Sequence, residues 1–166
     1  SFGSWDRISY VRKQKITLRQ IYKHFDISFK QRDPVSTWPG LKIDDRGVVV
    51  EIDLSFKKLE KDIPKVLFRL TELEKLKLHA CSLTGEIPKE ISNLKKLRVL
   101  DLSSNRLGGK IPFQKEALSK LEKLSLHMNK FTLLPGTVAS LKNLKELYLS
   151  RNSLKTVPKR IKHLHS

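Results

Sequence analysis

Leu97-Arg98-Val99-Leu100-Asp101-Leu102-Ser103-Ser104-Asn105-Arg106-Leu107 decides how this chain folds. Apolar residues hold its first, fourth, sixth and eleventh places, and an asparagine holds the ninth. Across Leu100-Asp101-Leu102 the character alternates, so on an extended backbone both leucines point one way and Asp101 the other. The same frame recurs on both sides. Upstream it reads Val49, Ile52, Leu54, Lys57, Leu59, then Leu73, Leu76, Leu78, Cys81, Leu83. Downstream it reads Leu121, Leu124, Leu126, Asn129, Phe131, then Leu144, Leu147, Leu149, Asn152, Leu154. The copies start at Val49, Leu73, Leu97, Leu121 and Leu144, which are 24, 24, 24 and 23 residues apart. Self-similarity at such a period is the signature of a solenoid.

A proline follows each copy: Pro64, Pro88, Pro112, Pro135 and Pro158. Beyond it comes a further apolar ladder: Leu67 and Leu70, Ile91 and Leu94, Leu118 alone, Val138 and Leu141, Ile161 and Leu164. One short strand cannot bury its apolar face alone. Stacking the copies joins the strands into a parallel sheet and merges the leucines into one core. With a fixed φ and no N–H, the prolines suit an extended or tightly turned outer side, expected to carry short turns of helix or 3₁₀ helix.

This pattern resembles the leucine-rich repeat (LRR) family over residues 47–166. Leu83-Thr84-Gly85-Glu86-Ile87-Pro88 and Leu107-Gly108-Gly109-Lys110-Ile111-Pro112 resemble the plant-type L-x-G-x-I-P class. Phe131-Thr132-Leu133-Leu134-Pro135 and Leu154-Lys155-Thr156-Val157-Pro158 look like the 23-residue class of intracellular members. The resemblance implies an α/β solenoid: a right-handed arc of about five repeats with a parallel concave sheet. It also implies a ladder of asparagine amides bonded to backbone of neighbouring coils. Lys57 and Cys81 depart from that ladder, though Cys is a common family variant there, so Cys81 is expected to be structural and not a nucleophile.

Residues 1–46 stand outside the repeat and are expected to form an N-terminal extension and cap. Thr17-Leu18-Arg19-Gln20 matches a capping box, and Leu18, Ile21, Tyr22 and Phe25 recur at helical spacing. These predict a helix over about 17–27, whose apolar face, with Trp5, Ile8 and Tyr10, covers the open end of the first coil. Trp38-Pro39-Gly40-Leu41-Lys42-Ile43, followed by Asp45-Arg46-Gly47-Val48-Val49, resembles the W-x-G-V-x-C … G-x-V start of plant-type LRR domains, with Ile43 in place of a cysteine. Cys81 is the one cysteine, so no intrachain disulfide forms. Both points lead to an expectation of a reducing compartment (cytoplasm, nucleus or organelle matrix), not a disulfide-stabilised secreted domain. The chain begins at Ser1, not Met, and ends at Ser166 within what would be a further coil. The expectation is a segment missing or processed at the start, and missing sequence or a partner covering the last coil.

LRR proteins usually bind through the concave sheet. The expected contact residues are Glu51, Asp53 and Phe56; Lys75, Lys77 and His79; Asp101; Lys123, His127 and Met128; Glu146, Tyr148 and Arg151. His79 and His127 share a column two strands apart, so their backbones stand roughly 10 Å apart. A shared zinc needs ring nitrogens at about 2.0–2.1 Å. With only Ser103 between them, no metal site is expected. No nucleophile–base set, phosphate-binding glycine loop or metal signature is present, so neither enzyme activity nor a cofactor is expected.

Charge is the unusual bulk property: 34 Lys+Arg against 17 Asp+Glu, a formal +17. It favours polyanionic partners, or else a solvated lysine surface. Candidate polyanion contacts are Arg12, Lys13 and Lys15, and, near the C-terminus, Lys155, Lys159, Arg160 and Lys162. The leading expectation is a non-catalytic, protein-binding LRR scaffold or assembly subunit, with no small-molecule substrate. The alternative is a basic accessory subunit of a ribonucleoprotein, such as an organellar ribosome, whose convex and C-terminal Lys/Arg contact RNA phosphates. No apolar run is long enough to span a bilayer.

Overall fold

The computed structural model describes residues 2–157. A long helix, α1 (Ser4–His24), comes first, followed by nine short strands: β1 (Leu41–Ile43), β2 (Val49–Asp53), β3 (Lys75–Lys77), β4 (Thr84–Glu86), β5 (Val99–Asp101), β6 (Arg106–Lys110), β7 (Lys123–Ser125), β8 (Lys130–Leu133) and β9 (Glu146–Tyr148). The concave sheet has the order β1-β2-β3-β5-β7-β9. From β2 onward the pairing is parallel and in step with the repeat: Ile52, Leu76, Leu100, Leu124 and Leu147 form one row. All five are fully buried. They belong to one continuous core that also takes in Leu18, Ile21, Tyr22 and Phe25 of the cap.

The outer side carries 3₁₀ turns at Lys65–Arg69, Lys89–Asn93 and Gly136–Ser140, each entered from a proline. The third coil has none. There Lys115 occupies the place held by Leu67, Ile91 and Val138 in the other coils. The chain instead makes bends, with Glu116 and Leu118 at φ 64° and 54°. The L-x-G-x-I-P stretches do more than turn: β4, β6 and β8 pair as a second, three-stranded parallel sheet.

The asparagine ladder runs as the resemblance implies. The amides of Asn105, Asn129 and Asn152 donate back one coil to the carbonyls of Leu78, Leu102 and Leu126. At Cys81 a thiol takes over the donation, to Leu54 O at 3.1 Å.

The cap helix corrects the expectation. It starts at Ser4, not near residue 17, and Thr17 lies inside it, buried against the first coil. The capping box is not used as a cap. Nor do Trp5 and Ile8 cover the open end: they are 82% and 41% exposed. Tyr10 approaches the first coil, taking a hydrogen bond from Glu72 N. The decisive residue is Gln14, which is buried. Its amide donates to Gly47 O, and its carbonyl accepts from Val49 N. A side chain thus satisfies backbone left open where the chain enters β2. At the other end of the β1–β2 pair, Gly40 turns the chain into β1 at φ +75°, so close to Asp53 that a Cβ would collide with its carbonyl oxygen. Pro158, Ile161 and Leu164, and whatever follows the fifth coil, lie outside the described residues.

Candidate functional site

The register of the concave sheet sorts its outward residues into columns. Glu51, Lys75, Val99, Lys123 and Glu146 face each other across the strands, as do Asp53, Lys77, Asp101, Ser125 and Tyr148. Just past the strands, backbone bonds from Phe56 to His79, Ala80 to Ser103, Ser104 to His127 and Met128 to Ser150 continue the alignment. This continuation makes a third column of Ser55, His79, Ser103, His127 and Ser150. A fourth column, Phe56, Ala80, Ser104, Met128 and Arg151, takes φ between 53° and 67° in every coil. The left-handed turn carries the chain out of the sheet and lifts those side chains toward solvent. Phe56 is 77% exposed and Met128 41%.

The imidazoles are fixed by these columns. His79 Nδ1 bonds Ser103 Oγ at 2.7 Å, and that hydroxyl in turn donates to Asp101. His127 Nδ1 bonds Ser125 Oγ at 3.0 Å. Each ring also meets an aromatic edge: His79 stands 5.0 Å from Phe56 and His127 6.3 Å from Tyr148, both near perpendicular. Lys123 reaches over the Tyr148 ring and toward Glu146. The face therefore carries two apolar–aromatic anchors, Phe56/His79 and Met128/Tyr148/His127. They are separated by a polar middle of Asp101, Ser103 and Ser104.

One expected contact residue is corrected. Glu51 sits on the concave face but is buried, with Lys42 Nζ at 3.0 Å and Lys77 Nζ at 3.1 Å on its two oxygens. Burial works to raise its pKa, but the two ammonium groups outweigh that and hold the carboxyl below its ordinary value. It organises Lys77 and the β1–β2 hairpin, leaving nothing to offer a ligand. Lys42, from the cap, was missed because only the antiparallel return of β1 brings it there. Asp53, Phe56, Met128, Glu146 and Arg151 are exposed, and Lys75, Lys77, His79, Asp101, Lys123, His127 and Tyr148 are half-buried.

Among the described residues, the candidate polyanion contacts fall in two places. Arg12, Lys13 and Lys15 stand on α1 at the cap end, while Lys155 follows β9 at the far end of the array. Lys159, Arg160 and Lys162 lie outside the described residues. Elsewhere cations are drawn into ion pairs between coils: Arg46 and Lys96 on Glu72, Arg98 and Lys145 on Glu122. Burial pushes the Cys81 thiol up to about 11, so it is protonated at neutral pH. Among the described residues, no three His, Cys, Asp or Glu side chains come together as a metal site.

Comparison with known proteins agrees with this architecture. Family models described as leucine rich repeat match residues 117–166, and residues 72–94 and 96–114. The chain belongs to the leucine-rich repeat family. No curated protein sequence matches it. Among solved structures, a plant ice-binding protein is 32% identical at a TM-score of 0.79, over 84% of this chain and 48% of that one. The LRR ectodomain of the receptor kinase SOBIR1 from Arabidopsis thaliana is 27% identical at a TM-score of 0.79, over 90% and 85%. A chain of the BIR3–SERK2 complex, also from Arabidopsis thaliana, is 26% identical at 0.77, over 89% and 87%. The chain thus spans about half the length of the ice-binding protein and most of the two others.

Proposed function

We propose that this chain is a non-catalytic scaffold that holds a protein partner on its concave sheet, and that the partner enters as an extended segment crossing the coils. The pair of anchors carries this reading. Phe56 belongs to the first coil and Met128 to the fourth, three strand spacings apart, which is about 14 Å. An extended chain advances roughly 3.3–3.6 Å per residue, so two apolar side chains about four residues apart reach both anchors. Asp101 and Ser104 between them meet the segment's backbone and polar groups, with Ser103 buried beneath. Few residues dominate the energy of such interfaces, and exposed aromatics are the usual anchors. That a similar chain was solved within the BIR3–SERK2 complex supports a protein partner.

The test is alanine at Phe56, Met128 and Tyr148 together. Substitution at these exposed or half-buried sites is expected to leave thermal unfolding unchanged and to weaken partner binding by roughly 2 kcal/mol or more. Unchanged binding of every partner co-purified from the native source would remove the concave face from the account. The RNA reading rests on the charge of +17 alone. Its signature is loss of the partners on nuclease treatment and affinity that falls steeply between about 50 and 200 mM salt. The reducing-compartment reading rests on Cys81 as the one cysteine and on Ile43 where the plant-type start has a cysteine, and fractionation of the native source with an antibody tests it.

A further inference from the structure

Helix α1 has a second face that the cap does not use. Gln14, Thr17, Leu18, Ile21 and Tyr22 are buried against the first coils. On the opposite side, Trp5, Ile8, Arg12, Ile16, Arg19 and Lys23 follow one another at steps of three or four residues, which keeps them in one stripe. Trp5, Ile8 and Ile16 are 82%, 41% and 54% exposed. Trp5, Ile8, Ser9, Arg12 and Lys13 line one shallow trough. The helix carries six Lys/Arg (Arg7, Arg12, Lys13, Lys15, Arg19, Lys23) against a single acid, Asp6. Phe2 does not fold over the stripe: it packs on Tyr10, and Arg46 lies over its ring.

We infer that this outer face of α1 is a docking surface for a bilayer bearing anionic phospholipid, on which the helix lies flat. The order of residue types selects that occupant. A helix made for an apolar protein groove offers unbroken anchors at i, i+3, i+4 and i+7. Here Arg12 sits between Ile8 and Ile16, and Arg19 and Lys23 continue the stripe. At a lipid headgroup layer the mixture is an advantage: guanidinium and ammonium groups meet phosphates and serine carboxylates, while the indole and the two isoleucines dip to the acyl boundary. The helix charge complements an anionic leaflet. Among the described residues no helix is long and apolar enough to cross a membrane.

Co-sedimentation of the full chain with vesicles tests this. Vesicles of phosphatidylcholine with about 30% phosphatidylserine are expected to retain the protein, and pure phosphatidylcholine to retain little. Tryptophan emission should shift to the blue on binding. Trp38 is already buried, so Trp5 is the source and Trp5→Phe should abolish the shift. The triple variant Trp5→Ala, Ile8→Ala, Ile16→Ala should bind roughly tenfold or more weakly, with far-UV circular dichroism and thermal midpoint unchanged. Three results overturn the inference. One is no preference for phosphatidylserine, and another is undiminished binding by the triple variant. The third is Trp5-dependent capture of an acidic protein without vesicle binding.

Discussion

Asn105 shows what a single side chain contributes to this stack. Its carbonyl accepts from Cys81 N and Leu83 N at 3.0 and 2.9 Å, and its amide donates to Leu78 O and Leu102 O at 2.8 and 2.9 Å. Removing it strands buried donors and acceptors in two coils. Asn105→Ala is expected to cost about 2–4 kcal/mol in urea unfolding, and Asn152→Ala less, because Asn152 is only half-buried. Cys81, in the same column, is buried with its thiol pushed up to about 11. A thiol reagent at pH 7–8 should therefore label it only under denaturing conditions; rapid labelling of the native protein would contradict its placement. Glu51 makes a pH prediction. Its folded pKa is depressed, so its contribution is present above the ordinary value of 4.5 and is lost as pH falls below it. Glu51→Gln is expected to lower stability at pH 7 by about 1 kcal/mol, and the gap to wild type should close on acidification. The Asn column is legible in the sequence because its spacing is fixed by the repeat. The fate of Glu51 is not, since Lys42 reaches it from a strand that runs the other way.

At the scale of elements, the hairpin β1–β2 depends on Gly40. The backbone there is left-handed, and Asp53 N donates to Gly40 O at 2.8 Å. Gly40→Ala adds both backbone strain and a collision with the Asp53 carbonyl. It is expected to cost at least about 2 kcal/mol, read as a lower thermal midpoint. Strands β2, β3, β5, β7 and β9 of the concave sheet could be placed to within a residue or two from the L-x-x-L-x-L frame, whereas β1 lies outside it. The start of α1 could not, because the face that seats it includes Gln14 and Thr17, polar residues whose burial is justified by backbone partners that only the folded hairpin supplies. The second sheet stayed hidden for a related reason. Thr84-Gly85-Glu86 and Arg106-Leu107-Gly108-Gly109-Lys110 show no alternation of their own; stacking in register makes them strands. In the third coil, Lys115 in place of an aliphatic residue explains the missing 3₁₀ turn.

For the whole molecule, two consequences follow from a repetitive core under a strongly positive surface. Charges of one sign repel across the compact state, and salt screens them over roughly 10 Å at 0.1 M. Raising sodium chloride from about 20 to 200 mM is expected to raise the thermal midpoint by a few degrees. A fall would mean that the inter-coil ion pairs on Glu72 and Glu122 outweigh the net repulsion. The second consequence is functional: the coils present four columns of side chains toward one concave surface, and among the described residues two places on it offer large apolar groups to solvent. Photo-crosslinking from those places tests the central claim most directly. A benzophenone amino acid at Met128, compared with the same group at the exposed outer residue Gln114, should capture a protein segment from the native source at the first position and not at the second, with nuclease treatment making no difference. Capture from Gln114 alone, or products at Met128 that vanish with nuclease, would contradict a concave protein-binding scaffold.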